Sequence, residues 1–177
     1  LILLHLKLFI INILASRIYN FVLNKIILLV NLLEIEKKMS KTAAKNLLNK
    51  EISPYLKQRS SDSIHWSAWN EFGIDNAIML EKPILILVGK QSATPCHHLH
   101  KELEESKETS SFINEKFTPF LIDADDSPTI AKYFRTVSRS LSTKLFSYPL
   151  WVILAPNKKP VFAESISENS QLLPALK

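Results

Sequence analysis

The sequence predicts a single α/β domain built on a central mixed four-stranded sheet with helices on its faces. Short apolar runs rich in β-branched residues alternate with amphipathic stretches, a pattern typical of buried strands joined by helices. The final two apolar runs are separated only by a short turn, so the last two strands are expected to form an antiparallel hairpin. At 177 residues and 46% hydrophobic composition, the chain is long enough for one domain with a substantial core. We expect this domain to span residues 40–177, with its final helix truncated.

Residues 1–38 are an extra N-terminal apolar segment, which we expect to lie outside the domain. Lys7, Arg17 and Lys25 divide it into pieces shorter than the roughly 20 apolar residues of a membrane-spanning helix. Leu8–Leu14 has the character of the apolar core of a secretory signal. Alternatively, translation starts at Met39, the first methionine of the sequence, and the protein is cytoplasmic. A genuine leader or anchor would instead predict an exported or membrane-anchored protein.

The domain is predicted to begin with a short amphipathic turn followed by a helix. The turn is expected to end at Ser53-Pro54, because proline interrupts the apolar pattern. After a polar loop, Ile64–Leu80 predicts a helix with one apolar face. Trp66 and Trp69 lie three residues apart on this helix, a spacing more typical of core side chains than of a ligand groove.

The stretch Lys82–Glu102 contains Cys96, the only cysteine of the chain. Pro83–Val88 is an unbroken apolar run, which predicts a strand buried on both faces. Helix formers and charges follow from Cys96 onward, with Thr94 and Pro95 where an N-cap and a first-turn proline belong. A strand, a short loop and a cysteine at a helix start form the layout of a thioredoxin-type active site, where the helix N-terminus lowers the thiol pKa.

This site lacks the first cysteine of a Cys-x-x-Cys pair. The corresponding four residues are Ala93, Thr94, Pro95 and Cys96. Because the first thiol of such a pair attacks the substrate disulfide, its absence predicts a redox-inactive binding module, with Cys96 protonated and inert if it is buried. The alternative is a single-cysteine thiol–disulfide oxidoreductase. In that case Cys96 attacks, His97 or His98 supplies positive charge, and glutathione or a second protein resolves the mixed disulfide.

A metal site is another possible interpretation of the histidines that follow Cys96. Cys96 and His100 lie one helical turn apart on the same face, but a zinc site needs three or four ligands. The simpler interpretation of His97, His98 and His100 is a polar helix face near the site.

A short helix, a strand and a longer helix follow. Their predicted bounds are Phe112–Phe117 with a cap at Ser110 or Ser111, Thr118–Ile122, and Pro128–Val137. Between the strand and the second helix lie three acidic residues, Asp123, Asp125 and Asp126. Carboxylates before a helix start more often complement the helix dipole than bind metal, so we expect neither a metal site nor a cofactor.

The last part of the chain completes the predicted sheet. A polar, basic loop over residues 138–147 leads to strands Leu150–Leu154 and Val161–Ile166, and a helix begins over Gln171–Lys177. Helix-joined strands followed by a hairpin have the thioredoxin topology. A proline just before the third strand faces the cysteine loop in that topology, which predicts a cis peptide bond at Tyr148-Pro149. The predicted binding groove is lined by Ala93, Thr94, Pro95, Tyr148 and Pro149.

The net charge of +5 is concentrated near the N-terminus, where the first 38 residues hold five Lys or Arg against two Glu. The rest of the chain has no cluster of basic residues interleaved with aromatics, so we expect no nucleic-acid partner. A protein or peptide bearing a thiol or disulfide is the expected partner, and a membrane partner is expected only if residues 1–38 are an anchor or signal.

Several spaced motifs occur in a definite order across residues 46–165. They are Ser53-Pro54-Tyr55-Leu56, Trp66, Trp69, Lys82-Pro83-Ile84 leading to Gly89, Cys96-His97, the segment 123–128, and Pro149-Leu150. In this order they resemble the thioredoxin-like domain of the spermatogenesis-associated protein 20 family. The resemblance implies a thioredoxin-like fold, a site at Cys96 and His97, and a role in cell redox homeostasis.

The chain departs from this family mainly at the site. The family typically reads S-x-C-H-W-C-H, of which only Cys96 and His97 remain here. The replaced positions are Ala93 for the first Cys, Thr94 for His, Pro95 for Trp, and Leu145, Phe146 and Ser147 where glycines commonly precede the cis-proline. The resemblance therefore supports the fold more than an activity.

Overall fold

The computed structural model describes residues 2–43, 45–142 and 145–177. The chain divides into two compact units, Leu1–Thr42 and Ala43–Lys177. The second unit contains every strand of the described chain and both parts of its hydrophobic core.

The second unit alternates helices and strands as the sequence predicts. After a 3-10 turn at Leu48–Lys50, its elements are α2 (Pro54–Lys57), β1 (Ser67–Ala68), α3 (Glu71–Met79), β2 (Ile84–Gly89), α4 (Thr94–Glu105), α5 (Lys107–Lys116), β3 (Thr118–Asp123), α6 (Pro128–Leu141), β4 (Leu150–Leu154), β5 (Pro160–Ser165) and α7 (Asn169–Leu176). The first unit is the single helix α1 (Ile2–Ala43).

The strands form one mixed sheet in the order β1-β3-β2-β4-β5. Strand β3 runs parallel to β1 and β2, whereas β4 is antiparallel to β2 and to β5. Strand β2 lies at the centre, and all six of its residues are buried, as its unbroken apolar sequence requires. The predicted α/β fold with a terminal hairpin is confirmed, and the sheet has five strands rather than four.

The core lies on both faces of the sheet because alternate residues of each strand point in opposite directions. Leu85 and Leu87 of β2 belong to the cluster that also contains Cys96, while Ile84, Ile86 and Val88 belong to the other cluster. In the first cluster Trp66 packs against Trp151, with their ring centroids 6.4 Å apart. The helix α4 that carries Cys96 is therefore fixed to one face of the sheet by apolar packing.

The predicted helix Ile64–Leu80 is wrong in its first half. The helix starts only at Glu71, where the side chain of Asn70 accepts a hydrogen bond from the Gly73 amide and so begins the first turn. Of the preceding residues, Ser67–Ala68 form the short strand β1. Trp69 consequently packs against the second cluster, on Phe120 at 5.3 Å, and not beside Trp66.

Three helix boundaries also differ from prediction, two of them because of a capping serine. Ser53 does not end a turn but caps α2, its hydroxyl accepting from the Leu56 amide at 3.2 Å. Ser106, rather than Ser110 or Ser111, caps α5. Helix α6 continues to Leu141, beyond the predicted end at Val137, and residues 143 and 144 of the predicted loop lie outside the described residues.

Helix α1 is continuous despite the charges at Lys7, Arg17 and Lys25. Within it, Ile13–Ile35 has the length and the mean hydropathy, 1.6, of a membrane-spanning helix. Signal sequences and core helices of other proteins share these two properties. The cytoplasmic location and its alternatives therefore remain predictions.

Candidate functional site

Cys96 is positioned by the junction between β2 and α4. Strand β2 ends at Gly89, and α4 begins at Thr94 with a proline in its first turn. The N-cap residue is Ala93 rather than the predicted Thr94, and it offers no side-chain cap. The Cys96 amide instead donates to the Ala93 carbonyl at 2.9 Å, which closes the first turn.

Cys96 is fully buried and has no solvent-exposed surface. Burial raises the pKa of this thiol, because the thiolate loses its hydration. Hydrogen bonds from the Lys90 backbone and from the Tyr55 hydroxyl lower the pKa, but they do not outweigh burial. The condition under which the sequence predicts an inert, protonated Cys96 is therefore met.

Of the residues predicted to line a groove, Ala93 and Tyr148 pack against the core cluster that contains Cys96. Thr94 and Pro95 are exposed, and Ala93 is half-buried. The Tyr148-Pro149 peptide is cis, as predicted. Tyr148 is half-buried, packs against both core clusters and lies within electrostatic range of Cys96. Pro149 is buried beside it, so Tyr148 supplies the accessible side chain of this pair.

Of the predicted histidines, His97 is half-buried and His98 is exposed. The Nε2 of His97 lies 2.6 Å from the Gln91 carbonyl oxygen, to which it donates. His98 is exposed and lines an open cavity of about 850 Å³ between α4 and the start of α7. Thr94 and Pro95 line the same cavity, so the exposed start of α4 is accessible from this side as well.

His100 does not belong to a polar surface, contrary to the sequence prediction, because it has no exposed area. Its Nε2 lies 2.8 Å from the Tyr55 hydroxyl, and its Nδ1 lies 3.8 Å from Asp62 Oδ2. The Asp62 carboxylate also accepts from Trp66 Nε1 at 3.1 Å. The sequence contains one signal for this arrangement, the shared helical face of Cys96 and His100, but none for Tyr55 and Asp62.

Gly89 makes room for Tyr55. A Cβ at position 89 would overlap the Tyr55 hydroxyl, and Tyr55 itself is fully buried. Glycine is therefore required here by the close approach of the ring to the end of β2.

Burial displaces the pKa values of Asp62 and His100 in opposite directions. It raises the pKa of Asp62 from 3.8 to about 7 and lowers that of His100 from 6.5 to about 3. The nearby Arg59 cation opposes the first shift and adds to the second. Between these values the folded pair holds one proton, on Asp62, whereas the unfolded chain also holds one, on His100.

We expect this pair to leave the free energy of unfolding nearly independent of pH between about 4.5 and 6, because both states bind equal numbers of protons there. In Asp62→Asn, His100 is the only titrating group left of the pair. Below pH 6.5 it is protonated in the unfolded state but stays neutral in the folded state. Stability should then fall as the pH decreases from 6.5, by at most about 1.4 kcal/mol per pH unit. Urea unfolding at several pH values measures the slope. Glu105→Gln, at an exposed carboxylate of α4, is the control, and equal slopes for Asp62→Asn and wild type would contradict the assignment.

Two of the three acidic residues at the end of β3, Asp123 and Asp125, have structural partners. Asp123 Oδ2 accepts from the Ser53 hydroxyl at 2.6 Å, and its Oδ1 accepts from the Asp125 amide at 3.0 Å. Asp125 forms an ion pair with Lys90 at 3.0 Å. Among the residues that the structure describes, no group of three His, Cys, Asp or Glu side chains could hold a metal ion.

The fold is shared with solved structures of low sequence identity. A thioredoxin from Thermus thermophilus is similar over 64% of this chain and 85% of its own, with a TM-score of 0.53 and 14% identity. A structure described as DsbH oxidoreductase is similar over 77% of this chain and 94% of its own, with a TM-score of 0.50 and 11% identity. These likenesses confirm the thioredoxin-like fold.

Sequence comparison identifies relatives with higher sequence identity than these solved structures. Spermatogenesis-associated protein 20 of Rattus norvegicus is 31% identical over 115 residues, and uncharacterized protein B0495.5 of Caenorhabditis elegans is 30% identical over 117 residues. These matches cover 65% and 66% of this chain but only 14% and 16% of the relatives, so the chain spans a small part of their length. A family model described as "Protein of unknown function, DUF255", Thioredox_DsbH, matches residues 45–173. The chain therefore belongs to the DUF255 family of thioredoxin-like domains, to which its resemblance to spermatogenesis-associated protein 20 pointed.

Proposed function

We propose that this domain is a redox-inactive binding module that holds an extended polypeptide segment beside the start of α4. One observation carries the proposal: the only thiol of the chain has no exposed surface and a raised pKa. A thiol in this state is a poor nucleophile, and no second cysteine is present to complete a dithiol.

The groove offers the contacts that an extended segment needs. Among the described residues, the main-chain N–H and C=O of Tyr148 have no hydrogen-bond partner, whereas the neighbouring Ser147 is bound to Ser165 through both groups. Free main-chain groups beside a sheet pair readily with an extended peptide. The Tyr148 ring and the exposed Thr94 and Pro95 supply side-chain surface on either side.

A reduced, carboxamidomethylated insulin B chain is a suitable probe, because it is unfolded and has no thiol that could form a mixed disulfide. Nuclear magnetic resonance titration of the isotope-labelled protein should shift the amides of Ala93, Thr94 and Tyr148. The amide of Lys158, in the distant β4–β5 turn, serves as the internal reference. Shifts confined to other surfaces would refute binding at this groove.

We expect Thr94→Arg to weaken binding of this probe about tenfold, since a long side chain at an exposed groove position obstructs the peptide. Thr136→Arg is the matched control, because Thr136 is an exposed threonine on α6. Titration of both variants measures the effect, with circular dichroism to verify their folding. Equal affinities of the two variants would place the binding surface elsewhere.

A single-cysteine oxidoreductase is the second candidate function. The hydrogen bonds from Tyr55 and the Lys90 backbone to Cys96 favour it, because donors to sulfur stabilise a thiolate. It requires glutathione-dependent reduction of a disulfide substrate that Cys96→Ser abolishes. Activity that is absent in wild type, or that survives in Cys96→Ser, would exclude this candidate.

A further inference from the structure

Helix α6 carries a row of basic side chains. Lys132, Arg135 and Arg139 are three and four residues apart, a spacing that places them on one side of the helix. Lys132 and Arg139 are exposed, Arg135 is half-buried, and α6 contains no acidic residue. Among the described residues, none of these side chains has an ion-pair partner. Attraction to the helix C-terminus accounts for Arg139, in the last turn, but not for Lys132 or Arg135.

Arg135 connects this row to the groove beside the cis-proline. Its guanidinium carbon lies 5.8 Å from the centre of the Phe146 ring. The Phe146 ring in turn packs edge-on against Tyr148, with the ring centroids 4.9 Å apart. These two contacts place Arg135 within about 11 Å of the Tyr148 ring, a distance that an extended chain covers in about three residues.

The contact with Phe146 positions the Arg135 guanidinium but leaves its hydrogen-bond donors unused. An aromatic ring contacts the flat face of a guanidinium, whereas the N–H groups point outward in its plane and match the two oxygens of a carboxylate. In the described part of the chain, no carboxylate or other acceptor binds these N–H groups. They are therefore available to an anionic group of a ligand.

The charges that act on Tyr148 leave an excess of positive charge on this side of the groove. Burial raises the pKa of Tyr148, and the cations Arg135 and Lys90 oppose that rise. Lys90 is paired with Asp125 at 3.0 Å, so its charge is largely neutralised. The excess positive charge near Tyr148 therefore comes from Arg135.

We propose that Arg135 is an anion subsite of this groove and that the polypeptide segment held there is acidic. An Asp or Glu about three residues from the one that pairs with the Tyr148 main chain would bring its carboxylate to the Arg135 N–H groups. Lys132 and Arg139, one turn away on either side, favour a segment with more than one acidic residue. This inference rests on the proposed function and specifies the chemistry of its partner.

Two capped peptides that differ only in charge provide the test. One repeats Glu-Ser-Thr four times, so that an acidic residue recurs at every third position, and the other has Gln in place of each Glu. Nuclear magnetic resonance titration of the full, isotope-labelled chain should show about fivefold tighter binding of the Glu peptide at low salt. The Glu peptide should shift the Nε–H signal of Arg135 as well as the Tyr148 amide. The preference should nearly vanish in about 0.5 M sodium chloride, because salt screens an exposed ion pair.

Arg135→Gln should bind the two peptides equally, with circular dichroism to verify its folding. Lys159→Gln, at an exposed lysine of the β4–β5 turn, lowers the net charge by the same amount and should keep the preference. The acidic subsite is overturned if the preference falls equally in both variants, or if the Glu peptide leaves the Arg135 Nε–H signal of wild type unshifted. It is also overturned if wild type binds both peptides equally while each shifts the Tyr148 amide, a result that leaves the proposed groove intact. If neither peptide shifts the Tyr148 amide, the groove and the subsite are refuted together.

Discussion

Ala93→Cys is expected to give this site a working dithiol. The Cys96 amide already donates to the Ala93 carbonyl in a tight turn, which keeps the two Cα atoms within about 7 Å, close to the range that a disulfide spans. Residue 93 is half-buried at the N-cap of α4, where the helix N-terminus stabilises a thiolate. The new thiol would supply the attacking group, and Cys96 would resolve the mixed disulfide.

Reduction of insulin disulfides by dithiothreitol provides the assay. We expect Ala93→Cys to accelerate it at least about tenfold over wild type, and mass spectrometry should detect an intramolecular disulfide after mild oxidation. Thr94→Cys is the matched control, because it also adds a thiol to the start of α4 but with the wrong spacing. Two permanently reduced thiols in a folded Ala93→Cys variant would show that this scaffold is not an intact dithiol site.

Gly89→Ala is expected to destabilise the domain by about 2–4 kcal/mol. The added methyl group would overlap the Tyr55 hydroxyl and crowd its ring, which is rigid and fully buried. Tyr55 must then move away from His100, so the variant combines overpacking with the loss of a buried hydrogen bond. Urea unfolding of the variant and wild type gives the difference in the free energy of unfolding.

A double-mutant cycle with Tyr55→Phe tests the cause of this loss. Tyr55→Phe alone removes only the hydroxyl and should cost about 1 kcal/mol. In the Gly89→Ala background it should cost less or even stabilise, since it removes an atom that the methyl group overlaps. Strictly additive effects would show that Gly89 and Tyr55 are not coupled.

The sheet was predictable because its strands are encoded locally. Strands β2 to β5 lie within one residue of their predicted bounds, since each is an apolar run ended by Pro, Gly or charged residues. The cis peptide at Tyr148-Pro149 followed from topology. Strand β1 was missed because its two residues are too few to show a periodic pattern. In addition, the three-residue spacing of Trp66 and Trp69 is typical of a helix.

The burial of Tyr55 and His100 behind Cys96 could not be predicted, because it depends on contacts between distant parts of the chain. Tyr55 and His100 are separated by 45 residues in sequence. Histidine and aspartate are usually exposed, so sequence reasoning placed His100 on a polar surface. Only the packing of α2 and the following segment against α4 buries these groups together.

Alkylation of Cys96 by iodoacetamide shows whether the thiol is inert in the folded protein. The folded wild-type protein at neutral pH is compared with the same protein unfolded in urea, where the thiol is exposed and has its ordinary pKa. Because the folded thiol has no exposed surface and a raised pKa, we expect it to react at least about 100-fold more slowly than the unfolded one. A folded rate equal to or faster than the unfolded rate would contradict the account and would identify Cys96 as a reactive thiol.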